Sequence, residues 1–328
     1  MVAGSSCSGG TTPGPEPGED RPGGGRPATT APAGLAVPGG VTVRRGLAYG
    51  TGAVAAPPGE RRADLLLDLY LPAGGTGSDL RPAVVLVHGG GFVGGSRADA
   101  GVVRVATGLA ERGVVTASID YRLLGQRPRP SRRVAPLAGA APASAVAVAA
   151  DDTLTALDWL ADEAADLGVD PERLGLVGSS AGAVTVDLVA YALDDHGIDA
   201  PSLRVVGSLW GGLAVPGRGG TDPVEQLEAG EAALFAVHGD ADDQVPVEMS
   251  DRLVARARAE GVPHEYHRLA GGGHGYPASG LFTTPVGGGS TSYDRLLAFV
   301  LRALAPAPQA AGGGTSRAAA STAATPEA

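Results

Sequence analysis

The chain of 328 residues contains a single cysteine, Cys7, which excludes an internal disulfide framework and a cysteine-based zinc site. Lysine and asparagine are both absent from the sequence, so all 25 basic residues are arginines and no asparagine-linked glycan can form. The formal net charge is −10, and so acidic a protein has no electrostatic reason to bind nucleic acid. Because a long uncharged apolar run is also missing, we expect no membrane-spanning segment.

Glycine, proline, serine and threonine dominate both ends of the chain. Segments with so few large apolar side chains cannot offset the entropy lost on ordering. We therefore expect a disordered leader at residues 1–40, a globular catalytic domain at 41–305 and a disordered tail at 306–328. The first twenty residues resemble the junction of a bacterial lipoprotein, in which a lipid-bearing cysteine begins a flexible tether. We accordingly favour a secreted or envelope-tethered protein over a cytoplasmic one, although no hydrophobic segment precedes Cys7.

Between these ends, short apolar runs typical of strands alternate with helical patterns. Strands are expected at residues 41–45, 65–71, 83–88, 114–119, 174–178, 204–210, 233–238 and 264–269. Helices are expected at residues 101–113, 151–168, 180–197, 247–261 and 292–304. This alternation predicts an α/β fold with a mostly parallel eight-stranded sheet and helices on both faces.

Two further features accompany this pattern. Asp151 and Asp152 suit the N-terminus of the second expected helix, because carboxylates there cap free N–H groups and face the positive end of the helix dipole. Two long stretches without a periodic pattern, residues 123–149 and 275–289, are candidates for a lid or a pocket wall.

The pattern G-x-S-x-G occurs once, at residues 178–182. In a chain with 53 glycines, chance alone gives roughly half an occurrence, so the structural context has to decide. The motif directly follows the expected strand at 174–178 and leads into an expected helix, the strand–turn–helix arrangement that exposes a nucleophilic serine. The pattern holds only when centred on Ser180 and not on Ser179, which makes Ser180 the candidate nucleophile.

A serine hydroxyl needs a base that accepts its proton and an acid that orients the base. The candidate base is His274, because it lies in a glycine-rich loop after the last expected strand and before the last helix. The acid is expected in the loop after the strand at 233–238, which offers Asp240, Asp242 and Asp243. The residues of this loop alone leave the choice among the three aspartates open.

Acyl transfer also requires hydrogen-bond donors for the oxyanion that develops on the carbonyl oxygen. The strand at 83–88 ends at His88 and continues into three glycines, whose amides can approach a ligand without side-chain obstruction. We assign the oxyanion hole to the backbone amides of Gly90, Gly91 and Ala181. His88 is expected to organise this loop and not to act as a base.

Together these motifs resemble α/β-hydrolase-fold carboxylesterases with an HGGG oxyanion loop, a branch that includes hormone-sensitive-lipase-like enzymes and bacterial acetyl and feruloyl esterases. The resemblance runs from about Leu65 to Leu304 and is carried by LDLYLP, HGGGF, SIDYRL, DDTLTALDWL, GVDPERLGLVGSSAGA, HGDADDQVP and GGGHG. It implies an α/β-hydrolase fold, and the H-G-x-x-D pattern of the family implies that Asp242 is the acid. It also implies that Asp120 and Arg122 hold the loop beside the pocket in place.

The expected function is a serine carboxylic-ester hydrolase that acts through an acyl-enzyme on small or medium acyl esters. The substrate class does not follow from the resemblance, because DYRL continues here into LGQRPRP, whereas hormone-sensitive-lipase-like enzymes continue into Ala-Pro-Glu. The alternatives are a serine peptidase related to prolyl oligopeptidases and a non-catalytic binding protein with the hydrolase fold. We expect no metal ion and no cofactor, because histidines and aspartates are scattered along the chain. A small-molecule ester is the expected partner, and the oligomeric state is left open.

Overall fold

The computed structural model describes residues 35–37, 40–74, 80–137, 143–217 and 220–306. Cys7, the expected tail from residue 307 onward and nearly all of the expected leader lie outside these residues. Within these ranges, no helix is both long enough and apolar enough to cross a membrane.

The main sheet contains all eight strands that the sequence predicts, β2 to β9, and a short strand β1 at one edge. The strands are β1 (Leu35–Val37), β2 (Val41–Ala56), β3 (Gly59–Leu71), β4 (Arg81–Val87), β5 (Val115–Ile119), β6 (Val169–Ser179), β7 (Val205–Leu209), β8 (Ala233–Gly239) and β9 (His264–Leu269). Strand β1 belongs to the stretch expected to be disordered, but it pairs antiparallel with the start of β2. Regular structure therefore begins before the expected boundary at residue 41.

The order of strands in the sheet places a crevice at its centre. The order is β1-β2-β3-β5-β4-β6-β7-β8-β9, and every neighbouring pair from β5 to β9 is parallel. From β4 the chain moves to β5 on one side, and it later returns to add β6 on the other side. At such a switch point the connections diverge, which opens a crevice at the carboxyl ends of β4 and β6 where ligands bind in open α/β sheets.

Helices cover both faces of the sheet, as expected. They are α1 (Ala100–Ala110), α2 (Ala143–Asp162), α3 (Ala164–Leu167), α4 (Ala181–Tyr191), α5 (Glu248–Ala259), α6 (Gly275–Ala278) and α7 (Ser292–Ala303). Buried side chains of α2, α4 and α5 belong to one hydrophobic cluster, whereas those of α1 and α7 belong to the other. The continuous apolar strands are thus buried from both sides, as their composition predicts.

The prediction that Asp151 and Asp152 begin a helix is wrong. Helix α2 begins at Ala143, and both aspartates lie in its interior, because the alanine-rich run before them already forms helix. Their carboxylates instead bind the buried guanidinium of Arg122, with Nη2 2.8 Å from Asp151 Oδ2 and 2.7 Å from Asp152 Oδ1. Burial raises the pKa of Asp152 to about 6 even though Arg122 opposes the shift. This ion pair ties the chain after β5 to α2, a structural role for Arg122 of the kind that the family resemblance implies.

The two stretches without a periodic pattern contain short regular elements. Besides the first turns of α2, the stretch 123–149 holds two 3₁₀ turns, Leu124–Gln126 and Ala135–Leu137. The stretch 275–289 holds α6 and, with the residues that follow, a small hairpin of β10 (Pro285–Gly287) and β11 (Ser290–Thr291). Elements this short carry no helical or strand period that a sequence could reveal.

Candidate active site

Ser180 lies at the sharp turn between β6 and α4, at the carboxyl end of a central strand. Its backbone has φ 54° and ψ −121°, a strained conformation of the kind that concentrates at functional sites. The flanking glycines are required by close backbone approach: a Cβ on Gly178 would lie 2.2 Å from the carbonyl oxygen of Gly182, and one on Gly182 would lie 2.1 Å from that of Val87. The G-x-S-x-G spacing is therefore a packing requirement of the turn.

The structure brings Ser180, His274 and Asp242 into one hydrogen-bonded row. His274 Nε2 lies 2.8 Å from Ser180 Oγ, and His274 Nδ1 lies 2.7 Å from Asp242 Oδ2. Of the two other aspartates considered for the acid, Asp240 accepts a hydrogen bond from a backbone amide instead, and Asp243 is exposed. The row has the connectivity of a nucleophile, a base and an acid that orients the base.

Asp242 lies in a pocket of hydrogen-bond donors, and its side chain is fully shielded from solvent. Its Oδ1 accepts from the backbone amides of Gln244 and Val245, each at 2.9 Å. Burial alone would raise the pKa of Asp242, but the hydrogen bonds from Val245, His274 and Gln244 lower it below its ordinary value. The carboxyl group is therefore ionised at neutral pH and available as an acceptor for His274.

Of the three residues assigned to the oxyanion hole, one follows Ser180 in the chain and two line the same cavity as Ser180. Ala181 directly follows Ser180 and is the first residue of α4, so its N–H has no acceptor within the helix. Gly90 and Gly91 line the same cavity as Ser180 and have φ values of 114° and 61°. A Cβ on Gly90 would lie 2.2 Å from the carbonyl oxygen of Gly94, so the loop can adopt this conformation only with glycine.

His88 holds the glycine loop through a hydrogen bond and is not hydrogen-bonded to Ser180. Its Nδ1 lies 2.7 Å from the carbonyl oxygen of Gly89, and its ring stacks on Tyr121 with ring centroids 4.4 Å apart. Burial lowers the pKa of His88, which favours a neutral ring. Asp120 Oδ1, which lies 3.9 Å from His88 Nε2, accepts a hydrogen bond of 2.7 Å from the backbone amide of Arg97. These contacts fix the path of the chain that carries the two glycine amides.

A cavity of about 510 Å³ opens in front of Ser180. Its lining residues are Gly89, Gly90, Gly91, Val93, Asp99, Ser179, Ser180, Trp210, Gln244, Val245, His274, Gly275 and Tyr276. The ring of Trp210 packs edge-on against those of His274 and Tyr276, with centroids 6.4 and 5.0 Å apart. These two aromatic rings give the cavity an apolar wall next to the proposed reacting atoms. Asp99 contributes a carboxylate to its rim.

Sequence reasoning did not single out Trp210, Tyr276 or His238, whose ring lies behind Asp242. Trp210 directly follows β7, so the rule that carboxyl ends of parallel strands carry ligand contacts would have found it. His238 is part of the same HGDADDQVP motif as Asp242, four residues earlier. Tyr276 lies in a glycine-rich stretch without a pattern, and no local signal marks it. Among the described residues, no group of three or more His, Cys, Asp or Glu side chains is placed to hold a metal ion.

Three family models match successive parts of the chain. The BD-FAE model matches residues 67–135, a model described as alpha/beta hydrolase fold matches residues 139–236, and the prolyl oligopeptidase family model matches residues 218–306. The first two cover the HGGG loop and the G-x-S-x-G turn, and the third covers the segment with Asp242 and His274.

Individual relatives are esterases. The chain is 32% identical over 120 residues to carboxylesterase NlhH of Mycobacterium tuberculosis, an alignment that covers 36% of this chain and 32% of the relative. It is 33% identical over 117 residues to a probable isoprenylcysteine alpha-carbonyl methylesterase of Oryza sativa, with 36% and 23% covered. The matched segment thus spans about a third or less of these curated relatives.

Solved structures match over most of the chain. Esterase 2 of Thermogutta terrifontis, phosphoramylated by tabun, superimposes with a TM-score of 0.58 at 25% identity and covers 80% of this chain and 94% of the esterase. The propionate-bound form of the same esterase gives a TM-score of 0.55 at 25% identity, with 73% and 88% covered. The chain therefore has the α/β-hydrolase fold. The esterase matches confirm the resemblance to carboxylesterases, whereas the match to the prolyl oligopeptidase model is confined to residues 218–306.

Proposed function

We propose that this protein hydrolyses carboxylic esters of small or medium acyl groups through a covalent acyl-serine intermediate. The observation that carries the proposal is the continuous row from Ser180 Oγ to His274 at 2.8 Å and on to Asp242 at 2.7 Å. A serine hydroxyl within hydrogen-bond reach of an imidazole that is itself oriented by a carboxylate is the arrangement that acyl transfer requires.

In the proposed reaction, Ser180 Oγ attacks the ester carbonyl carbon while His274 Nε2 takes the hydroxyl proton. The amides of Gly90, Gly91 and Ala181 donate to the oxyanion of the tetrahedral intermediate, which lowers its energy. When the intermediate collapses, the bond to the alcohol oxygen breaks, and His274 gives its proton to the departing alcohol. Water, deprotonated by His274, then attacks the acyl-serine and releases the carboxylic acid. Asp242 stays ionised throughout and stabilises the imidazolium.

The size of the cavity supports a small or medium acyl group. A volume of about 510 Å³ has to hold the acyl chain, the carbonyl group and part of the alcohol. The rings of Trp210 and Tyr276 border it next to His274. Structures of the related Thermogutta esterase carry propionate or butyrate, and we propose short acyl chains for this protein by the same chemistry. We take residues 41–305, extended by β1, as the catalytic unit.

A series of p-nitrophenyl esters from acetate to palmitate tests the proposal. We expect the highest kcat/KM among the acetyl, propionyl and butyryl esters and a steep fall toward palmitate, because the cavity cannot bury the longest chain. A fluorophosphonate probe should label Ser180, as read from the mass of the peptide that carries it. A protein that neither turns over any ester nor takes up the probe would support the non-catalytic alternative. Faster cleavage of a prolyl peptide anilide than of every ester would support the peptidase alternative.

A further inference from the structure

A second histidine lies directly behind Asp242. His238 belongs to the end of β8, and its side chain, like that of Asp242, is fully shielded from solvent. Its Nε2 lies 3.2 Å from Asp242 Oδ2, the same oxygen that lies 2.7 Å from His274 Nδ1. Two imidazole rings therefore face one carboxylate oxygen from different sides, and the proposed reaction gives a role to only one of them.

The surroundings of the His238 ring determine which nitrogen carries a proton. Nε2 lies 3.0 Å from the carbonyl oxygen of Val245 as well as 3.2 Å from Asp242 Oδ2, and both oxygens only accept hydrogen bonds. A bare Nε2 would direct its lone pair at two acceptors, so Nε2 has to carry a proton. On the other side of the ring, Nδ1 lies 2.7 Å from Ser250 Oγ, and a hydroxyl group can donate there.

Burial favours a neutral His238 ring. It lowers the pKa of His238, while the carbonyl of Val245 and the carboxylate of Asp242 oppose the shift and His274 adds to it. A doubly protonated ring would also place a second positive charge next to His274 at the moment when His274 takes the proton from the nucleophile. The neutral tautomer with its proton on Nε2 gives the two acceptors at Nε2 a donor and leaves Nδ1 to accept from Ser250.

We propose that His238 is a positioning residue whose Nε2–H is shared between the carbonyl oxygen of Val245 at 3.0 Å and Asp242 Oδ2 at 3.2 Å, and that its contact with Oδ2 helps to fix the carboxylate in the orientation that His274 requires. This inference rests on the proposed esterase function. The amides of Gln244 and Val245 hold Oδ1, and the two histidines hold Oδ2. These four N–H groups oppose rotation of the carboxylate and favour the position in which Oδ2 faces His274 Nδ1.

Ser250 lies on the other side of the His238 ring and orients it through a hydrogen bond at Nδ1. It is fully buried near the start of α5, and its Oγ lies 2.7 Å from His238 Nδ1 and 2.9 Å from the carbonyl oxygen of Gly211. Its single hydroxyl proton can be donated to only one of these two acceptors, and the neutral His238 ring proposed here requires that it goes to Nδ1. When Ser250 donates to Nδ1, the His238 proton is confined to Nε2. The row Ser250–His238–Asp242 therefore meets the row Ser180–His274–Asp242 at a single oxygen.

Paired substitutions test this role. His238→Leu fills the space without a donor, whereas the amide of His238→Gln can donate from the position of Nε2. We expect His238→Leu to lower kcat by roughly 10- to 100-fold with KM within about twofold of wild type, because the substrate pocket is intact and only the base is misoriented. His238→Gln should recover most of the loss. The matched control is His196→Leu, at a buried histidine whose Nε2 has no partner among the described residues, and it should keep the kcat of wild type.

The outcomes separate this inference from the proposed function. If His238→Leu keeps kcat within about twofold of wild type while Ser180→Ala is inactive, the inference is wrong and the esterase function stands. Equal loss in the Leu and Gln variants, with both as stable as wild type in thermal unfolding, would also overturn it, because the donor would then be irrelevant. If Ser180→Ala is as active as wild type, the proposed function itself fails.

A measurement on the wild-type protein covers the case in which His238→Leu does not fold. Nitrogen-15 NMR of labelled histidines distinguishes a protonated from a bare ring nitrogen, and the spectrum of the His238→Gln protein assigns the signals. At about pH 7 we expect His238 to carry a proton on Nε2 and a bare Nδ1. A bare Nε2 or a doubly protonated ring would contradict the inference.

Discussion

The hydroxyl group of Ser180 lies 2.8 Å from Nε2 of His274, although 94 positions of the chain separate the two residues. Ser180 follows β6 and His274 follows β9, so the contact spans four neighbouring parallel strands. Asp242 follows β8, the neighbour of β9 in the sheet, and its carboxylate contacts His274. Because all these strands end at the same edge of the sheet, three distant loops deliver their side chains to one place.

The two neighbouring serines should differ sharply in a substitution experiment. Ser180→Ala removes the proposed nucleophile, and we expect kcat to fall by roughly 10⁴- to 10⁶-fold. Ser179→Ala removes a buried hydroxyl on the strand side of the turn and should keep kcat within about tenfold of wild type. Steady-state hydrolysis of p-nitrophenyl butyrate measures both variants. Comparable activity of Ser180→Ala and wild type would refute the mechanism.

The neighbouring aspartates provide a similar comparison. In Asp242→Asn the amide can no longer serve as the charged acceptor for His274 Nδ1, and we expect a loss of about 10³- to 10⁴-fold in kcat. Asp243→Asn changes an exposed side chain and should leave kcat nearly unchanged. The same ester assay, together with thermal unfolding to verify folding, distinguishes the two. A larger loss in Asp243→Asn would transfer the role of the acid to that residue.

Two glycines of the loop after β4, Gly90 and Gly94, allow a matched comparison of alanine substitutions. In Gly90→Ala the new Cβ would collide with the carbonyl of Gly94, and the positive φ at position 90 is unfavourable for alanine. We expect the loop to shift and kcat to fall about 100-fold, the effect of losing one oxyanion donor. Gly94→Ala is the control, since its Cβ would meet no atom within 4 Å. Equal kcat values for the two variants would show that the Gly90 amide does not act on the oxyanion.

A buried carboxyl group in α4 should make stability depend on pH. Asp187 in α4 is fully buried, and its Oδ2 accepts a hydrogen bond of 2.7 Å from Ser208. Burial raises the pKa of Asp187 to about 7, although the hydrogen bonds from Ser208 and Gly212 lower it. In the unfolded chain the pKa of an aspartate is about 4. Between these two values the folded state binds more protons, so the free energy of unfolding falls as pH rises from about 4 to about 7.

Asp187→Asn isolates this contribution because its side chain stays neutral at every pH. We expect the decrease in Tm between about pH 5 and about pH 8 to be smaller in the variant than in wild type. Some decrease should persist, because burial also raises the pKa of Asp152 to about 6 and that of Glu231 to about 7. Scanning calorimetry of both proteins at the two pH values measures the difference. An identical decrease in both would contradict the prediction.

The rim of the cavity predicts a preference among charged esters. The carboxylate of Asp99 lines the cavity, and no arginine lies among the described lining residues to compensate for it. An ester with a carboxylate on its alcohol part should therefore have a lower kcat/KM than the matched neutral ester. The ratio of kcat/KM for the neutral ester to kcat/KM for the charged ester should fall in Asp99→Asn by roughly twofold to fivefold at low salt. The decrease should be smaller at high salt. Glu111→Gln, which removes the same charge at the far end of α1, should leave the ratio unchanged.

Much of this architecture could be predicted from local patterns. The eight strands and the serine turn were found because apolar runs and close glycine spacing are local consequences of a buried sheet and a tight turn. The prediction for Asp151 and Asp152 was wrong because aspartate is typical both of a helix N-terminus and of a buried ion pair with arginine, and the sequence does not distinguish the two. Only the packing of α2 against Arg122 distinguishes them.

By itself, the sequence determined the alternation of strands and helices and the position of Ser180, because both depend on residues close together along the chain. It also limited the acid to one loop. The tertiary structure decided which aspartate contacts His274, which rings border the cavity, and that His238 shares the oxygen of Asp242 with His274. These relationships depend on which strand ends become neighbours in the sheet, and strand order is fixed by long-range packing that no short stretch of sequence encodes.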